Sequence, residues 1–386
     1  MRSLGTILVL FAVAQGCGGR DGEGAPGAAS AGTGDRREAT APVTAAEVFM
    51  PGDFDAQESL LMGGTMLAGL FPGVLVDIVR AVPRDVRVVM LVAADEEVGP
   101  IRRLLAASGL QGDAVDFLAA PILTMWTRDF GPITVLDGGG RKRLVDFAYR
   151  ERRGNAVDDG VPRELAARLD LPLIECPLLL EGGDFLSNGW GLGVGSTRII
   201  ARNQHYLSLD PDAVIPRIGR TLGFESFQLL QPLAGETTGH LDMFCAFLRP
   251  DLVVVARIDP VLDPGNASRL DQAAATLEGM ATRQGPLQVD RVTMPAAEDE
   301  VWRTYTNIVM ANGVVLVPIY PDHCPDLDTE ALELYRRLLP DRRVVGIDAS
   351  GLITMRGALR CITMNIPAGS RRGAVDFSLP EPGPGP

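Results

Sequence analysis

Histidine is almost absent from this 386-residue chain, with three in all, aromatic residues make up only 5%, and positive charge is in deficit, giving a formal net charge of -13. The acidic balance excludes nucleic acid as a partner, because a phosphate backbone would be repelled rather than neutralised. A small cationic ligand, by contrast, is attracted. Cysteine is also sparse: the five present lack the dense spacing of a disulfide-stapled domain. No acidic loop has Ca²⁺-binding spacing. What is present, 46% hydrophobic and 22% charged residues, suits an extensive core in one or two soluble domains.

The N-terminus reads as a targeting segment. Arg2 precedes an apolar stretch from Ile7 to Val13 that is far too short to span a bilayer. The chain then reaches Ala14-Gln15-Gly16-Cys17, which resembles a bacterial lipobox, with Ala14 where a larger aliphatic residue is usual. Residues 1–17 are therefore expected to be a signal peptide, with lipid added to Cys17; an ordinary secretory signal is the alternative. Residues 18–45 have a tether composition of Gly, Ala, Ser, Thr and charge that buries too little apolar surface to fold. A folded domain over 46–368 and a Pro/Gly-rich tail over 369–386 complete the expected layout. This places the protein on the bacterial cell envelope, touching the membrane through the lipid anchor only.

Of the remaining cysteines, Cys176 and Cys245 lie in apolar runs and read as buried small hydrophobes. Cys324 follows His323 in a loop, where two adjacent ligands without a second pair are a weak metal signal and a plain loop thiol is the alternative. Cys361, followed by β-formers, reads in isolation as one more core residue.

Periodicity organises the middle of the chain. Two β-rich runs from Pro132 to Tyr149 flank Asp137-Gly138-Gly139-Gly140 and predict a hairpin, followed by a helix over Arg163 to Leu169 and a strand over Leu173 to Leu180. Hairpins begin again near Phe185, Leu241 and Thr304, with helices predicted over Pro211 to Leu222, Ala267 to Gln284 and Thr329 to Leu339. The step on to Cys361 continues the spacing, so the pattern recurs at intervals of roughly 60 residues. Units of this size cannot bury their apolar faces alone and must stack or close into a ring.

The chemistry-bearing residues fall at matching points of the repeat: Asp129 before the first hairpin, Glu181 before the second, His240 before the third, Asn307 inside the fourth, and Cys361 at the head of the last segment. An axial arrangement would bring them together at one end. Each motif has a plainer reading. Arg128-Asp129 after Trp126 fits a structural ion pair, and the glycines of Glu181-Gly182-Gly183-Asp184 fit a turn needing φ freedom. His240 and Asp242 are expected on one face of a strand, a buried histidine with a neighbouring carboxylate.

Taken together, WTRDFGP at Trp126 to Pro132, EGGD at Glu181 to Asp184, GHLD at Gly239 to Asp242, YTN at Tyr305 to Asn307, NGVVLVP at Asn312 to Pro318 and RCIT around Cys361 resemble the agmatine deiminase and bacterial peptidylarginine deiminase family of the guanidine-modifying superfamily, from about Val48 to Pro367. The resemblance implies an α/β pentein fold, a five-bladed propeller of ββαβ repeats. It also implies a hydrolase that needs no cofactor and no metal. Asp129 and Asp242 would hold a guanidinium, Cys361 would attack its carbon, and His240 would be the acid and base. Trp126, Glu181 and Asn307 would line the substrate site.

Two departures from the family stand beside the nucleophile: Arg356-Gly357 replaces a Gly-Gly pair, and Arg360 replaces a histidine. Arg360 either favours the Cys361 thiolate or points to solvent from the opposite strand face. Arg150 and Arg152 resemble the stretch that binds a C-terminal carboxylate in peptidylarginine deiminases, with a solvated charged loop as the alternative. On that basis the expected reaction is peptidyl-arginine to peptidyl-citrulline plus ammonia. Agmatine deimination, amidine transfer and non-catalytic arginine binding are the alternatives.

Overall fold

The computed structural model describes residues 48–111, 113–149, 157–283 and 285–369. Cys17, the lipobox, Arg150 and Arg152 lie outside the described residues. No single helix among the described residues is long and apolar enough to cross a membrane.

The first predicted unit is present as read. Ile133–Asp137 pairs antiparallel with Lys142–Ala148, the helix Val161–Arg168 crosses over, and Leu173–Leu179 adds parallel to the second strand. A parallel neighbour cannot be reached by a tight turn, so each unit needs its helical crossover. The same order recurs in the sheets containing Leu192–Ser196, Leu252–Arg257 and Val314–Ile319 as central strands. Those central strands include near-continuous apolar runs such as Val253-Val254-Val255 and Val314 to Val317, which are fully buried. Burial on both faces is what a strand covered by helices on one side and by the other units on the opposite side requires.

The fifth unit is assembled from the two ends of the chain. Thr363–Pro367 pairs antiparallel with Gln57–Gly63, two helices (Gly64–Leu70 and Pro72–Ala81) cross over, and Arg87–Val92 adds parallel. Asp116–Ala119 extends this sheet, and the short strand Val48–Phe49 extends the first one. The chain end that begins at Cys361 therefore closes the structure against its own N-terminal part.

Helix positions show where sequence periodicity fell short. Pro211–Leu222 matches its expected range: Asp210 caps it by accepting from Asp212 N, and Val214, Ile218 and Leu222 form the buried stripe. The third and fourth crossover helices instead run Pro264–Glu278 and Pro325–Leu338, starting earlier than expected. Both begin with proline in the first turn, whose missing N–H and fixed φ suit that position. Asp263 reinforces the first by accepting from Asn266 N.

Candidate active site

Cys361 sits in the turn just before the strand Thr363–Pro367, with 4% of its surface exposed. Asn307, fully buried in the loop ahead of the fourth hairpin, clasps this turn from both ends of its amide. Its Nδ2 donates to Cys361 Sγ at 3.3 Å, and its Oδ1 accepts from the backbone N–H of Arg360 at 2.8 Å and of Cys361 at 3.3 Å. Asn307, expected to line the substrate site, thus touches the thiol and its backbone. Gly357 lies beneath the half-buried Trp126 ring, where an added Cβ would collide with the indole and press on Cys361 Cβ. Its partner Arg356 holds φ 70°, a left-handed conformation that glycine adopts more cheaply.

His240 lies close enough to the Cys361 thiol for each to shift the other's ionisation. Its Nε2 is 2.6 Å from Glu181 Oε2, and its Nδ1 is 3.9 Å from Asp129 Oδ1. Glu181 is in turn paired with Arg202 Nη1 at 3.2 Å, and Asp184 with the same nitrogen at 2.9 Å. Glu181, expected to line the substrate site, thus meets the imidazole directly. Arg202, on the helix Arg198–Leu207, carried no sequence signal because it belongs to a crossover helix rather than to a motif.

The glycines of Glu181-Gly182-Gly183-Asp184 were expected to supply φ freedom. Neither has positive φ. Their value is closeness: a Cβ on Gly182 would strike the Arg128 carbonyl, and one on Gly183 would strike His240 Nδ1. Gly183→Ala should push the ring off Glu181 and cost roughly 100-fold in kcat, the scale of an ångström misplacement, with only a modest fall in Tm. Steady-state kinetics beside a thermal melt check this; unchanged kcat would show that the ring has room to move.

Two further expectations are corrected. His240 and Asp242 do not share a strand face, because Leu241–Met243 forms a single 3-10 turn and the strand begins only at Cys245. The turn follows Gly239 at φ 68° and is fixed by Leu241 N donating to Gly183 O. The Arg128 guanidinium, expected beside Asp129, turns into the axis instead. It is 2% exposed, donates from Nη2 to Asn365 Oδ1 at 2.8 Å and lies 3.8 Å from Asp53. Cys324, the loop thiol, accepts a hydrogen bond from the Tyr305 hydroxyl, and all four cysteines in the described region are free.

Asp242 is fully buried. Its Oδ2 accepts from Arg360 Nη1 at 2.8 Å, while among the described residues Oδ1 has no hydrogen-bond partner. Arg360 is 3% exposed and reaches inward, so the expectation that it points to solvent does not hold.

Electrostatics follow from this crowding. Burial disfavours the imidazolium of His240, but Asp129, the neighbouring Cys361 and Glu181 outweigh it and hold its pKa well above the ordinary value. Burial pushes the Cys361 thiol up, Asp242 and Asp129 push it further, and His240 pulls it down without reversing the rise. These surroundings favour the protonated thiol over the thiolate. A cation bound between Asp129 and Asp242 would cancel the charges that oppose the thiolate. The ligand atoms of Asp129, Glu181 and His240 lie within 4.8 Å of one another, close enough to share one positive charge, whether a metal ion or a planar organic cation. A thiol nucleophile, a cationic imidazole and two carboxylates around a cation fit addition to a guanidinium carbon.

Comparison with known proteins agrees with this geometry. The family model for Porphyromonas-type peptidyl-arginine deiminase matches residues 69–367. A Selenomonas ruminantium protein provisionally named agmatine deiminase is 27% identical over 288 residues, covering 66% of this chain and 77% of that one. A crystal structure from Porphyromonas gingivalis, provisionally titled an arginine deiminase, is 26% identical with a TM-score of 0.72, covering 84% of this chain and 99% of that one. The agmatine deiminase of Enterococcus faecalis shares the fold, with a TM-score of 0.71 at 21% identity over 86% of this chain and 99% of that one. The five ββαβ units are thus a pentein, and with most of its described residues matched the chain belongs to the Porphyromonas-type peptidyl-arginine deiminase family, hydrolases that act on the C–N bonds of guanidino groups.

Proposed function

We propose that this chain deiminates agmatine to N-carbamoylputrescine and ammonia, with Cys361 as the nucleophile. The observation that carries the chemistry is the convergence of the buried Cys361 thiol, His240 and Asp242 with the part-exposed Asp129. Asp129 and Asp242 hold the planar guanidinium, and its positive charge offsets theirs, so that the thiol releases its proton to solvent. The thiolate adds to the guanidinium carbon, and His240 protonates the departing amine, which leaves as ammonia. The resulting S-alkylthiouronium is then attacked by water. His240, neutral after its first transfer, removes the water proton, and collapse of the adduct expels Cys361 and leaves the ureido product. Glu181 keeps the imidazole turned towards the thiol, and Asn307 Nδ2 supports the developing thiolate.

Agmatine is favoured over arginine peptides for two reasons. Relatives provisionally named agmatine deiminases cover most of the chain. A second cationic end also gains from a protein of net charge -13, whereas a C-terminal carboxylate is repelled. The Arg150 and Arg152 cluster behind the peptide expectation lies outside the described residues. Peptidyl-arginine remains the second reading because the matching family model is of that type. The test is to incubate the folded domain with agmatine, free arginine and peptides ending in arginine, measuring ureido product and ammonia in equal amounts. A kcat/KM for agmatine at least about tenfold above the others is expected, the scale of one desolvated charge contact. Faster turnover of the peptides would establish the second reading, and amidine loss only with an added amine would replace hydrolysis by transfer.

We also propose export and anchoring through lipid on Cys17, supported by the Ala14 to Cys17 motif and the short apolar segment before it. Radiolabelled palmitate should enter the parent chain, and Cys17→Ser should prevent it.

A further inference from the structure

The guanidinium of Arg360 is anchored on three sides. Nε donates to Asp53 Oδ2 at 2.8 Å, Nη1 donates to the Gly182 carbonyl at 3.0 Å, and the same Nη1 donates to Asp242 Oδ2 at 2.8 Å. Its backbone is fixed as well: the N–H donates to Asn307 Oδ1 at 2.8 Å, and the carbonyl accepts from Arg128 Nε at 3.5 Å. A small cavity of about 20 Å³ borders Asp53 and Arg360. The anchor Asp53 precedes residue 69, where the family match begins. Asp53 is held ionised, because the Arg360 and Arg128 charges outweigh its burial.

A carboxylate that binds a guanidinium normally presents both oxygens, and its plane must be fixed for bidentate contact. Here one oxygen of Asp242 is already committed to a protein guanidinium, and the other is buried with no hydrogen-bond partner among the described residues. We propose that Arg360 is a positioning residue: braced by Asp53 and Gly182, it locks the Asp242 carboxylate so that Oδ1 alone is offered to the substrate guanidine. The proposal rests on the reading of Asp242 as a substrate-binding carboxylate. Arg360 makes no contact with the reacting atoms; both of its effects pass through Asp242. It sets the direction of Oδ1, and it offsets part of the negative charge that opposes the Cys361 thiolate.

Two measurements separate this from a merely structural strut. The first is KM against kcat for the guanidine substrate in Arg360→Met, Arg360→Lys and Asp53→Asn. Loss of the lock should raise KM about tenfold in Arg360→Met with kcat within about threefold, with Lys intermediate because it keeps a charge but not the fork. Asp53→Asn should raise KM by a smaller factor and add nothing when Arg360 is already Met, since the two act as one unit. The second is the rate of Cys361 alkylation by iodoacetamide at neutral pH, which needs no substrate. Arg360→Met should slow alkylation severalfold when Asp242 is intact and have no effect in an Asp242→Asn background. Asp53→Asn keeps the buried pair of Arg360 and Asp242, so it reports even where Arg360→Met does not fold. Unchanged KM in folded Arg360→Met and Asp53→Asn, or an alkylation effect that persists without Asp242, would overturn the proposal. A parent chain inactive on every guanidine but showing the Asp242-dependent alkylation change would overturn the proposed function and leave the Arg360 arrangement standing.

Discussion

Cys361→Ala is expected to lower kcat by about 10⁴-fold or more while the protein remains folded, because removal of a covalent nucleophile leaves only binding and electrostatic contributions. Little structural cost accompanies the change. The sulfur gives up its hydrogen bond with Asn307 Nδ2, while the turn stays clasped by Asn307 Oδ1 at two backbone N–H groups. A thermal melt should therefore show a loss of only about 1–2 kcal/mol, the scale of a small buried truncation. Acid-quenched parent enzyme should carry the thiouronium adduct on Cys361 by mass, and the variant none. Turnover in Cys361→Ala within tenfold of the parent would remove Cys361 from the mechanism.

Asp242→Asn is expected to move two reactions of the same thiol in opposite directions. Deimination should fall by about 10²–10³-fold, since the guanidinium loses a charged acceptor in a buried site. Alkylation of Cys361 by the neutral reagent iodoacetamide should become faster at neutral pH. The sign follows from charge. Burial is the first cause of the raised thiol pKa and Asp242 the second, so neutralising Asp242 stabilises the thiolate and lowers the pKa. Below that pKa the thiolate fraction grows as the pKa falls, up to tenfold per unit. Unfolding is distinguishable, because it would also expose Cys176 and Cys245, which are 4% and 0% exposed in the native structure. Slower alkylation of a folded Asp242→Asn would contradict the electrostatic account of the site. Peptide mapping of the labelled protein against pH reads both outcomes.

Much of this site was legible from residue spacing. Asp129, Glu181, His240, Asn307 and Cys361 were placed at equivalent points of a repeat, and the structure gathers them around one thiol. Partnership was less legible. His240 was expected to share a strand face with Asp242, yet its closest carboxylate is Glu181, brought in from the preceding unit. Alternation along a strand is a local rule, and it failed at a 3-10 turn that a distant carbonyl stabilises. Asp53 and Arg202 carried no motif at all, and Arg128 was paired with the wrong neighbour, because their partners are chosen by axial packing.

The sequence by itself determined the repeat, the strand and helix types, the order of the reactive residues and the sign of the protein's charge. These depend on short-range periodicity and on composition, which a linear chain displays directly. Only the tertiary structure decided that the two chain ends complete one unit, that Gly183 serves a close approach to His240, and that Arg360 spends its charge on Asp53 and Asp242. Hydrogen-bond partners in a ring come from residues hundreds of positions apart, and no local pattern records which of several buried carboxylates a given cation will meet.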